Sequence, residues 1–233
     1  AFPGFSEAFF ANWSATPART LTEVDENDLR RRMNISNRHE AIKAAVDVFV
    51  EQLITARKRD EDPPSFWYVV IPEFIYDLGR PKAIVPVADR VAGQVSISER
   101  KAAELIVQPT LFGEAEKEAV VYKYAKNFRR QLKARLLDQQ IVTQIVRETT
   151  LTPQEFLKAN NRDPKRRVED LATVAWKLCT GSYYKSGGKP WQLADVRPGV
   201  CYVGLVYKEQ PKENDARWAC CAAQLFLSDG DGV

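Results

Sequence analysis

Apolar residues recur at helical spacing in one long stretch: Ile42, Ala45, Val46, Phe49, Val50 and Leu53 fall at i, +3, +4, +7, +8 and +11. This spacing predicts an amphipathic helix over residues 38–58, with Ser36 or Asn37 available as N-cap, covering one face of a sheet. The run RDEDPP then breaks the chain. After it, Phe66 to Ile71 (FWYVVI) is a dense β-branched and aromatic run ended by Pro72, the pattern of a central strand. Helix followed by strand, repeated later, argues for an α/β fold with a parallel sheet. Before this unit, residues through Leu29 read as an irregular lead-in with one helical turn near Ser6 to Trp13. Residues 77–112 carry three prolines and mixed polarity, and are expected to form a surface excursion between strands.

A helix is predicted to resume at Glu114 and to run through Tyr122 into the basic segment NFRRQLKARLLDQQIVTQIVRETTL at 127–151. Lys126, Arg129 and Lys133 are spaced i, i+3 and i+7 on one face, while Phe128, Leu132 and Leu136 form an apolar stripe on another. After a short turn, IVTQIV has the β-branched content of a buried strand and carries Gln144, so an amide can return beside the cations. A basic helix face is most often simply solvated. The alternative is a pocket for a terminal phosphate. Beyond it, KANNRDPKRR marks a domain boundary, and Val168, Leu171, Ala172, Ala175 and Leu178 predict one face of a helix over residues 167–184. The glycines of KSGGKPW follow as a helix stop. That run lacks the G-x-x-x-x-G-K-[ST] order of a phosphate loop, so nucleotide hydrolysis is not indicated. Residues 200–208 and 217–227 are predicted strands joined by a charged loop.

Composition narrows the chemistry. The chain has 233 residues, 45% of them hydrophobic, enough for one large or two small domains, and a net charge of only +3. Any nucleic-acid surface must therefore be a local patch. No apolar run approaches a membrane span, and a cytoplasmic protein is expected. Cys179, Cys201, Cys220 and Cys221 form no C-x-x-C pair and are expected to be small core residues, so structural zinc is not expected. His39 is the single histidine, read as a surface residue at a helix start, and His-dependent triads cannot assemble from it. The opening AFPGF, without methionine, and the closing SDGDGV are expected to belong to a fragment.

The runs KNFRRQLKARLL and TQIVRETTL resemble the guide-anchoring segment of the MID domain in prokaryotic Argonautes, particularly the short ones. YYKSGGKPW is similar to the segment that enters their PIWI domain, and Pro3-Gly4-Phe5 to the entry of their MID domain. The resemblance covers nearly the whole chain. It implies a Rossmann-like parallel-sheet MID domain over residues 1–165 and the first strands of an RNase H-like PIWI domain over 166–233. The family's holders of the guide 5′ phosphate are matched by Arg129, Lys133, Gln144 and Lys185. The family more often has Tyr or His where this chain has Arg129, which keeps the donor but not the aromatic ring. Lys123, Lys126 and Arg135 are outlying cations that would follow the guide backbone.

The resemblance further implies a guide strand, by family habit RNA, and a complementary single-stranded DNA target. It implies an APAZ-containing partner with a TIR, sirtuin-like or nuclease effector in prokaryotic immunity. Mg²⁺ at the guide phosphate is implied too, although the family's C-terminal carboxylate ligand is absent from this chain. Slicing members carry an aspartate two residues after a glycine on the first PIWI strand, because carboxylates must clamp two metals. Here Gly204 is followed by Leu205 and Val206, and valine cannot ligate a metal. Neighbouring Tyr202, Tyr207 and Lys208 offer no carboxylate, and Glu209 falls on the opposite face by strand alternation. A catalytically inactive guide binder is therefore expected. An active RNase H-like slicer and an α/β protein-interaction domain with a basic face are the alternatives.

Overall fold

The long amphipathic segment folds as a helix because Asn37 caps it, its side-chain oxygen accepting from the backbone N–H of His39 and Glu40. The structure is a computed structural model that describes residues 5–10, 21–108, 113–152, 169–190, 200–212 and 215–226; the side chains of residue 114 and of residues 207–222 lie outside that description. In chain order the first elements are α1 (Phe5–Phe9), α2 (Glu26–Met33), α3 (Arg38–Arg59), β1 (Trp67–Ile71), α4 (Glu73–Leu78), α5 (Glu99–Val107) and α6 (Glu114–Val121). They are followed by α7 (Phe128–Leu137), β2 (Thr143–Arg147), α8 (Glu148–Leu151), α9 (Leu171–Lys185), β3 (Tyr202–Lys212) and β4 (Asp215–Phe226). All six apolar residues predicted for the inner face of α3 are buried.

The fold is mixed α/β. β1 and β2 pair in parallel, with Tyr68 opposite Gln144 and Ile71 opposite Arg147. Among the described residues β1 has this one partner strand. Trp67, Val69 and Ile71 are buried, whereas Tyr68 and Val70 alternate outward. The inward row joins α3, Leu29 and Met33 of α2, Ile75 of α4, and Phe128, Leu132 and Leu136 of α7 in one apolar core. Each such side chain contributes roughly 1.5–3 kcal/mol when fully buried. On the other face of β1, the Tyr68 hydroxyl meets Ser182 Oγ of α9.

Several expectations are corrected. The supposed irregular lead-in through Leu29 runs into α2, which begins at Glu26 and whose Asp25 side chain accepts from Asn27 N–H at 2.8 Å. Acids fill its first turn and Arg30, Arg31 and Arg32 its last, an arrangement that suits the helix dipole. Phe5–Phe9 is the short helical turn foreseen there, and residues 11–13 lie outside the description. The excursion at 77–112 is not merely superficial. It includes α5, which packs on α6 around Ala102, Leu105 and Ala119. Glu40 of α3 pins the approach to α5, accepting from Gln94 N–H at 2.7 Å and Val95 N–H at 3.1 Å.

The helix expected to run unbroken from Glu114 stops at Val121, and Asn127 starts a new one by accepting from Arg130 N–H. The link between them is held by side chains. Tyr122 Oη donates to the Ile97 carbonyl at 2.6 Å, and His39 Nδ1 donates to the Tyr124 carbonyl at 2.9 Å. His39 is therefore a buried residue, 8% exposed, rather than a surface one. Cys201 is exposed rather than buried and Cys179 half-buried; the side chains of Cys220 and Cys221 lie outside the description. In α9 the expected apolar face is not the buried one, since Leu171 is 60% exposed while Thr180 and Ser182 are buried. Residues 167 and 168 and the domain boundary proposed near 165 lie outside the described residues. β3 and β4 form an antiparallel hairpin, with a register shift between Val206 and Tyr207.

Candidate nucleic-acid interface

α7 presents its cations outward because its apolar stripe is fixed inward. Phe128, Leu132 and Leu136 are fully buried, and Phe128 meets Phe49 of α3 edge to face at 5.4 Å between ring centroids. The start of the helix is fixed by a backbone bond from Phe128 N–H to the Gly79 carbonyl at 2.9 Å. Gly79 lies so close that an added Cβ would sit 2.8 Å from Phe128 Cβ and 2.5 Å from the Ile75 carbonyl oxygen. Half-buried Arg38 supports this junction, donating to the carbonyls of Met33 and Leu78 at 2.6 Å each.

Next to that junction, at the carboxyl ends of the parallel strands, is a cleft of about 540 Å³ lined by Arg129, Gln144, Arg80 and Arg147 among others. Such strand ends are where open α/β sheets place ligands. Arg129 and Gln144 thus share one concavity, on α7 and β2. Lys133 and Lys185 are not part of the cleft lining, but they stand close enough to act on one another. Burial first, and then the charges of Lys185 and Arg129, pull the Lys133 ammonium below the ordinary lysine range. Lys185 is held at the last turn of α9 by a glycine stop. Gly187 adopts φ +93°, its N–H bonds the Tyr184 carbonyl at 3.2 Å, and Gly188 N–H bonds the Tyr183 carbonyl at 2.9 Å. Among the described residues no carboxylate pairs with Arg129, Lys133 or Lys185, and no Asp or Glu lines the cleft.

The outlying cations divide. Lys126 precedes the cap of α7 and does not continue its face. It pairs instead with Glu99 at 3.1 Å, and that hydrogen bond holds the Glu99 carboxyl below its usual range. Arg135 is engaged by Asp47 and lies over the Tyr124 ring. Neither is free to follow a strand in this arrangement. Lys123 is exposed.

Sequence reasoning missed three residues of the cleft wall. Arg80 and Arg147 lie over the Tyr76 ring at 4.3 and 3.6 Å from its centroid, and Glu73 pairs with Arg147. Tyr76 and Arg80 are i and i+4 across the end of α4, a spacing that could have suggested the pair. Nothing local connected either to Arg147. The donor set gathered at Arg129, Lys133, Gln144 and Lys185 consists of cations and an amide, which does not fit a divalent cation. Among the described residues no group of three or more His, Cys, Asp or Glu could hold a metal. Val206 lies on β3 and is 61% exposed, and the side chains of Tyr207, Lys208 and Glu209 lie outside the description. No described helix is long and apolar enough to cross a membrane. No protein-family model matches the chain, and no curated protein matches it.

Proposed function

We propose that this chain binds the 5′-phosphorylated end of a guide strand through Arg129, Lys133, Gln144 and Lys185. One observation carries the reading: three cations from two helices stand together with no carboxylate paired to them among the described residues, beside an amide and a cleft at the strand ends. Crowded like charges disfavour one another, and a terminal phosphate relieves that repulsion while accepting several charge-assisted hydrogen bonds. Each such bond contributes roughly 1.5–3 kcal/mol, so a phosphorylated end is selected over a hydroxyl end. The phosphate charge is met by side chains, and no step is assigned to Mg²⁺.

On the sequence resemblance, residues 1–165 form a Rossmann-like MID domain and 166–233 the beginning of an RNase H-like PIWI domain of a short Argonaute. The guide, RNA by that resemblance, pairs with single-stranded DNA. An APAZ-containing partner supplies the effector chemistry in prokaryotic defence. Val206 in place of the slicing aspartate supports a target that is held and not cut.

The test compares one strand with a 5′ phosphate and with a 5′ hydroxyl. Lys133→Ala should weaken the phosphorylated form roughly tenfold to a hundredfold, in line with one lost charge-assisted bond, and the hydroxyl form far less. Equal weakening of both forms would leave only a non-specific basic patch. Adding a complementary strand and Mg²⁺ or Mn²⁺ should give an uncut ternary complex, and cleavage opposite the guide would favour the slicer.

A further inference from the structure

We infer that Arg80 is a second phosphate contact, holding the internucleotide phosphate that follows the strand's 5′ end; this rests on the reading of Arg129, Lys133, Gln144 and Lys185 as the end-binding group. Arg80 and Arg129 line the same cleft. The backbone bond from Phe128 N–H to the Gly79 carbonyl makes them near neighbours, since each is the residue immediately after a bonded one. A strand whose end sits at Arg129 therefore has Arg80 as an adjacent cation of the same wall.

The three guanidiniums of the cleft differ in what they already hold. Arg147 is committed, its Nε donating to Glu73 Oε2 at 3.0 Å beneath the Tyr76 ring. Among the described residues the acid paired with Arg80 is Asp77, at 3.6 Å, and both side chains are more than half exposed (56% and 61%). An exposed pair of that length contributes little and opens readily. Tyr76 orients the Arg80 guanidinium over its ring without occupying the N–H groups, which remain able to donate to phosphate oxygens. The ligand chemistry is a phosphodiester of a single strand, bound without regard to base.

The test uses the full chain and one single-stranded oligonucleotide with either a 5′ phosphate or a 5′ hydroxyl. Arg80→Gln should weaken both forms by a similar factor, roughly tenfold for one lost charge-assisted bond, leaving their ratio unchanged. The slope of log affinity against log salt should fall by about 0.7, one phosphate contact on a single strand. Lys133→Ala should do the converse and remove the ratio. Arg80→Lys separates lost charge from a disturbed Tyr76 stack: a slope kept by lysine supports the contact, and a slope lost with it overturns the contact. Unchanged affinity and slope in Arg80→Gln, or loss of the 5′-phosphate ratio, would also overturn it. An unmodified protein that binds strands without 5′-phosphate preference removes the end-binding reading, and with it the order of phosphates proposed here. A slope change at Arg80 would then report only a general backbone cleft.

Discussion

Two sets of cations lie within ten residues of one another around α7, and they have opposite surroundings. Lys126 and Arg135 are bound to Glu99 and Asp47, and these pairs tie the segment to α5 and α3. Arg129 and Lys133 are joined by Lys185 and by no described carboxylate, and Lys133 loses proton affinity through burial first and then through the charges of Lys185 and Arg129. The same residue types thus serve as internal fastening on one side and as an uncompensated positive site on the other. Charge count does not separate the two sets; the position of acids brought from distant elements does.

The largest effect should come from unfastening a paired cation near the site. Glu73→Ala takes a carboxylate partner from Arg147, whose side chain is only 18% exposed, and also removes an acceptor from Thr149. Breaking one partner of a buried pair costs about 3–5 kcal/mol, and the partial exposure here places the expected loss near the lower end. Urea unfolding measures it, and a loss under about 1 kcal/mol would mean that the pair is not structural. Gly79→Ala comes next, because its Cβ must push Phe128 and the Ile75 carbonyl aside. Overpacking of that kind costs about 1–3 kcal/mol. The start of α7 should shift with it and weaken 5′-phosphate selectivity, and a variant as stable and as selective as the parent would show that the junction does not position the site.

The smallest effect separates the two sets directly. Without an anion, the unfolded chain holds the Lys133 proton more tightly than the folded one. Stability should therefore rise with pH from the depressed folded value toward the ordinary lysine value of 10.5. Lys133→Gln should flatten that alkaline rise without destabilising the protein. Arg135→Gln should instead lower stability, by about 1 kcal/mol as expected for a partly exposed pair. A destabilised Lys133→Gln with an unchanged pH profile would place Lys133 among the fastening cations.

Local pattern carried some of this a long way. The inner face of α3, the stripe of α7, the strand at Trp67–Ile71, the parallel return carrying Gln144 and the glycine stop after Lys185 are each set by spacing or backbone chemistry within a few residues. α2 was equally available, since Asp25, its acidic first turn and its arginine-rich last turn make a local signature. The break before α7 was not, because what ends the preceding helix includes contacts to Tyr122 and Tyr124 from residues 25 to 85 positions away.

The sequence by itself determined which side of α7 turns inward and which carries Arg129 and Lys133, because apolar burial has a fixed helical period. Only the tertiary structure decided which cations remain uncompensated and what wall they share. Lys126 and Arg135 find Glu99 and Asp47 across the fold, Lys185 arrives on α9 more than fifty residues after Lys133, and Arg80 reaches the cleft through the close approach of Gly79 to Phe128. Electrostatic character depends on distances between elements, and those distances follow from packing rather than from any local run of residues.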